Sequence, residues 1–169
     1  RRSSDLIEGE AIWSADPYAK ACGINGQRSM IVDLKQTDPD GWQEEVSPEM
    51  QPEQVIYEVH IGEYSWDPSG GFPEAFRGKY KAFTCENTTR NHDGVHPTGF
   101  SYMKRLGVTH IQLMPAYDYG SVDESKESGE FNWGYDPVNY NVPEGSYATD
   151  PRKGEVRIRE FKEMIKALH

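Results

Sequence analysis

The sequence predicts an α/β fold built from two consecutive strand–helix units. Apolar, β-branched residues mark a strand at 55–61 and another at 108–115, and helical apolar spacing follows each of them. Both strands are followed by long polar segments, whereas Gly107 alone connects the first helix to the second strand. This order is typical of parallel strands with right-handed crossovers. Long loops after the strands favour a barrel over an open sheet.

The domain boundary is predicted at residues 37–54, where turn-forming residues and prolines interrupt any helical or strand period. Residues 1–36 have the pattern of the edge of a β-rich unit, including a short strand at 29–34. Residues 55–169 carry the two strand–helix units.

Each helix has recognisable ends. The first helix is predicted to begin near Pro97, whose missing N–H costs nothing at a helix start, and to end at Gly107, a typical C-terminal cap. The second follows residues 150–151, and its apolar residues recur at helical spacing: Ile158, Phe161, Ile165 and Leu168.

Composition and charge exclude several classes of protein. The 169 residues include 18 Lys and Arg against 28 Asp and Glu, a formal net charge of −10. This excess of anions argues against nucleic acid and against an anionic membrane surface as partners, and no run approaches the roughly 18 apolar residues of a membrane helix. Cys22 and Cys85 are expected to be free thiols. Because no ligands have metal-site spacing, we expect neither a metal nor a cofactor.

Aromatic residues make up 12% of the chain, with 10 Tyr and 4 Trp. Their flat apolar faces and polar atoms are compatible with sugar binding. Among the polar residues, Asp123, Glu124 and Glu127 are predicted to form a solvated acidic loop. The five histidines, His60 among them, are scattered and form no metal-ligand pair.

One segment, Phe131-Asn132-Trp133-Gly134-Tyr135-Asp136-Pro137 followed by Pro143-Glu144-Gly145-Ser146-Tyr147-Ala148-Thr149-Asp150-Pro151, resembles the type I pullulanases. These are α-1,6-glucan debranching enzymes of glycoside hydrolase family thirteen, whose motif has Tyr where Phe131 stands. Residues 55–61 resemble the first barrel strand of that family. The Arg-Asp-Phe-Ser that usually follows is replaced here by Gly62-Glu63-Tyr64-Ser65.

The resemblance implies a particular domain organisation. Residues 1–36 would be the C-terminal tail of a β-sandwich carbohydrate-binding module, and 37–54 a linker. Residues 55–169 would be the first part of the catalytic (β/α)8 barrel, an incomplete barrel portion comprising its first two β/α units. In the family the catalytic carboxylates of the retaining mechanism follow later in the chain than His169. We therefore assign no catalytic residue and expect the isolated chain to be inactive.

The same resemblance implies four substrate-binding residues. Tyr135 would be the aromatic platform beneath the sugar at the cleavage point, contributing positioning rather than bond-making. Asp136 would accept a hydrogen bond from a sugar hydroxyl or cap a turn, and Asn132 would donate to sugar or form the turn. Trp133 would stack on glucose or, the favoured alternative, pin the loop.

The implied partners are an α-glucan (pullulan, amylopectin or glycogen limit dextrin) and the remainder of the same enzyme, since two parallel strands leave open sheet edges. Two alternatives remain: a noncatalytic α-glucan-binding fragment, and a relative of isoamylases or glucan-branching enzymes. The expected location is the bacterial cytoplasm, with secretion as the alternative.

Overall fold

The computed structural model describes residues 3–7, 10–14, 16–50, 52–126 and 130–169. Within these ranges the chain has an α/β architecture, with three two-stranded sheets, two α-helices and several short 3-10 helices that all lie between residues 24 and 92. None of the helices in this part of the chain is long and apolar enough to cross a membrane.

The first sheet is a hairpin in which β1 (Ser3–Ile7) pairs antiparallel with β2 (Glu10–Ser14). The strand expected at residues 29–34 is wrong. Cys22 and Ser29 form only an isolated bridge. Ile31 is fully exposed because no strand in the described structure pairs with its segment.

The second sheet contains the predicted parallel pair. β3 (Ile56–Val59) lies beside β4 (His110–Leu113) in parallel register, and α1 (Gly99–Arg105) connects them. Gly107 has a φ of +74° and its N–H donates to the Lys104 carbonyl at 3.0 Å, as expected for a C-terminal cap. The first strand–helix–strand unit is therefore confirmed.

The third sheet lies where the sequence predicted only a loop. β5 (Tyr117–Tyr119) and β6 (Pro137–Pro143) form an irregular antiparallel hairpin, with register shifts on both sides of Asp118. A strand of three residues gives too short an alternation to be recognised in sequence. The long connection of this hairpin carries residues 131–136, so the hairpin positions the segment that resembles pullulanases.

The predicted second helix is α2 (Gly154–Leu168), which packs against the 3-10 helix at Tyr80–Thr84 and against β6. Tyr80 is central to this packing: its ring meets those of Tyr147 and Phe161 edge-on, and its hydroxyl donates to the Glu144 carbonyl at 2.9 Å. The larger of the two core clusters in the described structure contains the following buried residues: Val59, Ile61, Tyr80, Phe83, Tyr119, Val122, Tyr147, Ala148 and Met164.

Residues 34–45, which we call the strap, lie along α2. Lys162 Nζ donates to the Leu34 carbonyl at 3.1 Å and to Thr37 Oγ1 at 2.9 Å. Lys162 also bonds Asp38, and this bond is the main reason why the pKa of Asp38 is below its usual range. Most of the strap belongs to the segment predicted as a linker, so that segment has specific contacts with the rest of the chain.

Candidate substrate-binding face

The segment 131–136 lies against the ends of the two parallel strands. Gly134 adopts a φ of +86°, and a Cβ at this position would lie 2.5 Å from the Pro115 carbonyl oxygen. Pro115 comes two residues after β4. Glycine therefore permits both the left-handed backbone and the close approach to the end of β4.

Asn132 and Asp136 are hydrogen-bonded to each other within this segment. Asn132 Oδ1 accepts the Gly134 N–H at 2.7 Å, and Asn132 Nδ2 donates to Asp136 Oδ1 at 3.0 Å. The Ser121 hydroxyl donates to Asp136 Oδ2, and this bond is the main cause that holds the pKa of Asp136 below its usual range. Both residues thus form hydrogen bonds within the turn, and Asp136 is an ionised acceptor near neutral pH.

Tyr135 and Trp133 have the most exposed aromatic rings of the segment, and Phe131 is 50% exposed. Tyr135 is 68% exposed and Trp133 is 59% exposed. The Trp133 ring meets that of Phe131 edge-on at 4.9 Å, which fixes one end of the indole and leaves the rest open. Phe131, the residue that replaces the family's Tyr, therefore supports Trp133.

A cleft of about 530 Å³ borders Tyr135. It lies between the end of β4 and β6, and β4 has β3 as its one strand partner in the described structure. Its lining is mostly apolar and includes Leu113, Met114, Val142 and Phe161. Such a lining is typical of a packing surface, whereas the exposed Tyr135 and Trp133 rings combine apolar faces with polar atoms suited to sugar.

Sequence reasoning missed the contribution of His60, which follows β3. Its Nε2 lies 2.8 Å from the Asn132 carbonyl oxygen and 3.0 Å from the Tyr147 hydroxyl. Its Nδ1 accepts the Glu63 N–H at 3.1 Å, and its ring centroid lies 5.0 Å from that of Phe131. No sequence signal points to these contacts, because the bonded carbonyl belongs to the backbone 72 residues further along the chain.

A second missed set, which we call the Arg157 cluster, consists of Arg157, Asp118, Glu124 and Glu144, all buried. Arg157 Nη1 lies 3.0 Å from Asp118 Oδ1, and Nη2 lies 2.6 Å from Glu124 Oε2. The expectation of a solvated acidic loop is therefore wrong for Glu124, which is 5% exposed. The reason is that α2 brings a cation to it. Glu127 lies outside the described residues.

Glu144 completes the cluster at the base of the hairpin. Its carboxylate accepts the Tyr119 N–H at 3.0 Å and the Ser146 N–H at 2.8 Å. Burial, followed by the nearby charge of Glu124, raises its pKa to about 8. One oxygen from each carboxylate of the cluster lies within 4.8 Å of the others. Arg157 and backbone N–H groups already bond these oxygens, so the cluster is explained without a metal.

Both cysteines are free thiols, as predicted. Cys22 is buried, and its Sγ donates to Asp118 Oδ1 at 3.3 Å. Burial raises the pKa of this thiol far above its usual range. Cys22 is therefore a structural neighbour of the Arg157 cluster rather than a nucleophile.

Comparison with known proteins gives one consistent result. The chain is 38% identical to the pullulanase of Bacillus subtilis over 161 residues, covering 95% of this chain and 21% of that protein. The structure of apo pullulanase from Paenibacillus barengoltzii matches with a TM-score of 0.90 at 44% identity, over 98% of this chain and 26% of that one. The same pullulanase in complex with maltohexaose and α-cyclodextrin matches with a TM-score of 0.88 at 45% identity, over 95% and 25%. No family model matches the chain.

The proteins that match this chain belong by name to one class, the debranching enzymes: they are pullulanases and a glycogen debranching enzyme from Klebsiella pneumoniae. Within that class the chain corresponds to a segment of a pullulanase, since the matched proteins are pullulanases over nearly all of its residues. It spans about a fifth to a quarter of the length of these relatives: 21% of the Bacillus protein and 26% of the Paenibacillus structure.

Proposed function

We propose that the chain supplies part of the α-glucan-binding face of a pullulanase-like enzyme that hydrolyses α-1,6 branch points by a retaining mechanism. The observation that carries the proposal is the pair of exposed rings, Trp133 and Tyr135, on a segment held against the ends of β3 and β4. The catalytic carboxylates would come from outside this chain, in keeping with its match to a minor part of each relative.

Tyr135 would act as a platform for one glucose unit. The C–H face of a pyranose covers an aromatic ring while its hydroxyls remain free for polar partners. The mutual bonds of Asn132 and Asp136 restrict the segment, so little conformational freedom is lost when sugar binds. Trp133 would extend the platform, while Asp136 Oδ1 and Oδ2 would receive sugar hydroxyls at their remaining lone pairs.

The proposed substrates are pullulan, amylopectin and glycogen limit dextrin. Support comes from the similar Paenibacillus pullulanase, whose structure was solved in complex with maltohexaose and α-cyclodextrin. The full-length enzyme would work in the bacterial cytoplasm, where free thiols such as those of this chain are maintained. Secretion is the alternative, and cell fractionation of the source organism tests the choice.

We propose the following architecture for the full-length enzyme. Residues 1–36 end a carbohydrate-binding module, 37–54 form a linker, and 55–169 begin the (β/α)8 barrel. Further barrel strands would cover the free edge of β4 and fill the apolar cleft beside it. The exposed apolar residues Val55 and Ile56, at 49% and 57%, would also be covered in the complete barrel.

The test compares variants of the full-length enzyme on pullulan. We expect Tyr135→Ala to lower kcat/KM by at least about tenfold, equivalent to ~1.4 kcal/mol of transition-state stabilisation. Tyr135→Phe should retain most of the activity, because the ring face remains. Tyr18→Ala is the matched control, since Tyr18 is 85% exposed and lies outside the segment. A Tyr135→Ala enzyme as active as the Tyr18→Ala enzyme would refute the proposal.

The same exposed rings support a second candidate, a noncatalytic α-glucan-binding fragment. Titration calorimetry of the isolated chain with maltotriose separates the two. Heat of binding that disappears in Tyr135→Ala or Trp133→Ala favours the binding fragment, whereas no heat favours a segment that binds only within the full enzyme. The linkage cleaved or formed by the full-length protein separates pullulanase from isoamylase or branching enzyme.

A further inference from the structure

We propose that His60 is a positioning residue that sets the height and orientation of the Tyr135 platform, an inference that rests on the function proposed above. His60 directly follows the last residue of β3, and its imidazole reaches across to the backbone of the aromatic segment. It is therefore a side chain that joins the end of the parallel sheet to the candidate glucan-binding face.

The hydrogen bonds of His60 determine which ring nitrogen carries the proton. Nδ1 accepts the Glu63 N–H, so in the neutral ring the proton must lie on Nε2. Nε2–H then donates to the Asn132 carbonyl at 2.8 Å, with the Tyr147 hydroxyl 3.0 Å away. His60 is thus fixed on both sides of its ring, in one tautomer.

The bonded carbonyl is well placed to affect Tyr135. Asn132 begins the turn whose next bonds run to Gly134 and Asp136, the two neighbours of Tyr135. The ring of Phe131, the residue before Asn132, also packs on the imidazole of His60. A change in the His60–Asn132 bond would therefore be transmitted through this turn to the platform, without His60 touching the sugar.

The experiment uses the full-length enzyme with two matched substitutions. His60→Gln places an amide donor near the former Nε2, whereas His60→Asn retains an acceptor near Nδ1 and loses the donor to Asn132. We expect His60→Gln to keep KM for pullulan within about twofold of wild type. His60→Asn should raise KM about fivefold, as for the loss of one hydrogen bond. Equal KM values for the two variants would overturn the proposal.

A double-mutant cycle tests whether His60 acts through Tyr135. In a Tyr135→Ala background we expect His60→Asn to have little further effect on KM, because there is no platform left to misplace. Full additivity would overturn the positioning role and leave the proposed function intact. A Tyr135→Ala enzyme with unchanged kinetics would instead contradict the proposed function itself.

A spectroscopic measurement keeps the proposal testable if His60→Asn does not fold. The ¹⁵N signals of the wild-type imidazole distinguish the two neutral tautomers, and His60→Gln identifies which signals belong to this residue. We expect Nε2 to carry the proton. A proton on Nδ1 would leave the Asn132 carbonyl without its donor and overturn the inference.

Discussion

The Arg157 cluster places four ionisable side chains together in the interior of the protein. Asp118 and Glu124 pair with the single guanidinium of Arg157, and a carboxyl oxygen of Glu144 lies within 4.8 Å of oxygens of both acids. A buried ion pair is costly to break because the remaining partner keeps its desolvation penalty. The stability of the folded protein should therefore depend strongly on the pH and on the presence of the Arg157 cation.

The first prediction at this scale concerns the pKa of Glu144. Its pKa of about 8 in the folded state lies above the ordinary value of 4.5, because burial and the charge of Glu124 disfavour the carboxylate. Between these two values the folded state holds a proton that the unfolded state has lost. The contribution of Glu144 to the free energy of unfolding therefore falls as pH rises through this window.

The measurement is the melting temperature of the full-length enzyme across that pH window, compared with Glu144→Gln. We expect the substitution to flatten part of the decline towards alkaline pH. Glu155→Gln, at an exposed position on α2, is the control and should leave the pH profile unchanged. Parallel profiles for wild type and Glu144→Gln would contradict this prediction.

The second prediction concerns the stability lost when Arg157 is replaced. Arg157→Met retains much of the side-chain volume but leaves Asp118 and Glu124 buried without their cation. We expect a loss of about 3–5 kcal/mol in the free energy of unfolding. Denaturant titration of the full-length enzyme measures it, and the exposed Arg152→Ala should change stability by less than about 0.5 kcal/mol. Similar losses in both variants would show that the ion pairs contribute little.

At the scale of elements, the irregular hairpin and its long connection place the aromatic segment. Gly134→Ala tests this placement, because its Cβ would meet the Pro115 carbonyl in addition to the strain of a positive φ. Gly107→Ala is the matched control: Gly107 also has a positive φ, of +74°, but beyond its chain neighbours no atom of the described residues lies within 4 Å of the added Cβ.

We expect Gly107→Ala to cost about 1 kcal/mol of stability with unchanged kinetics. Gly134→Ala should raise KM for pullulan several-fold beyond its effect on melting temperature, because the platform must shift. Steady-state kinetics and melting curves of the two full-length variants measure both effects. Unchanged KM in Gly134→Ala would show that the segment tolerates displacement.

The sequence predicted the elements whose period is clear and missed those defined by long-range contacts. Strands β3 and β4 and helices α1 and α2 have strong apolar patterns and ends marked by glycine or proline. The β5–β6 hairpin is short and irregular, and the segment at 29–34 has β-branched residues with no strand to pair with. In both cases the availability of a partner strand, rather than the β propensity of the segment, determined whether a strand formed.

The residues of the candidate site also fall into those that the sequence pattern predicted and those that it missed. The residues 131–136 were found because they are contiguous and resemble a known motif. His60 and Arg157 were not, since their partners come from elements far apart in the chain: the Asn132 carbonyl for His60, and Asp118 and Glu124 for Arg157. Sequence patterns identify residues that act together with their neighbours in the chain. His60 and Arg157 act instead through contacts that only folding creates.

At the scale of the whole molecule, the parallel sheet has only two strands, β3 and β4, in the described structure. Apolar residues beside its edges are exposed, and the apolar cleft between the end of β4 and β6 remains open. Open strand edges favour association with other chains. The isolated chain should therefore lack the cooperative stability of a closed domain.

We expect urea unfolding of the isolated chain to be broad, or to depend on protein concentration through self-association. Tryptophan fluorescence and circular dichroism, with light scattering to follow mass, provide the measurement. A single sharp transition of a monomer, coincident by both probes, would contradict this expectation. Addition of the remaining part of the enzyme as a separate polypeptide should sharpen the transition.

The strap is fastened to α2 through lysine side chains: Lys162 bonds Leu34, Thr37 and Asp38, and Lys166 bonds the Asp40 carbonyl. Acetylation of these amines would remove both their charge and most of their donor capacity. Chemistry that attaches the enzyme to a solid support through its amines would thus remove these lysine bonds and leave the strap held by others, such as the bond from Arg159 to the Gln36 carbonyl. Immobilisation through carboxyl groups remote from α2 would leave that fastening in place.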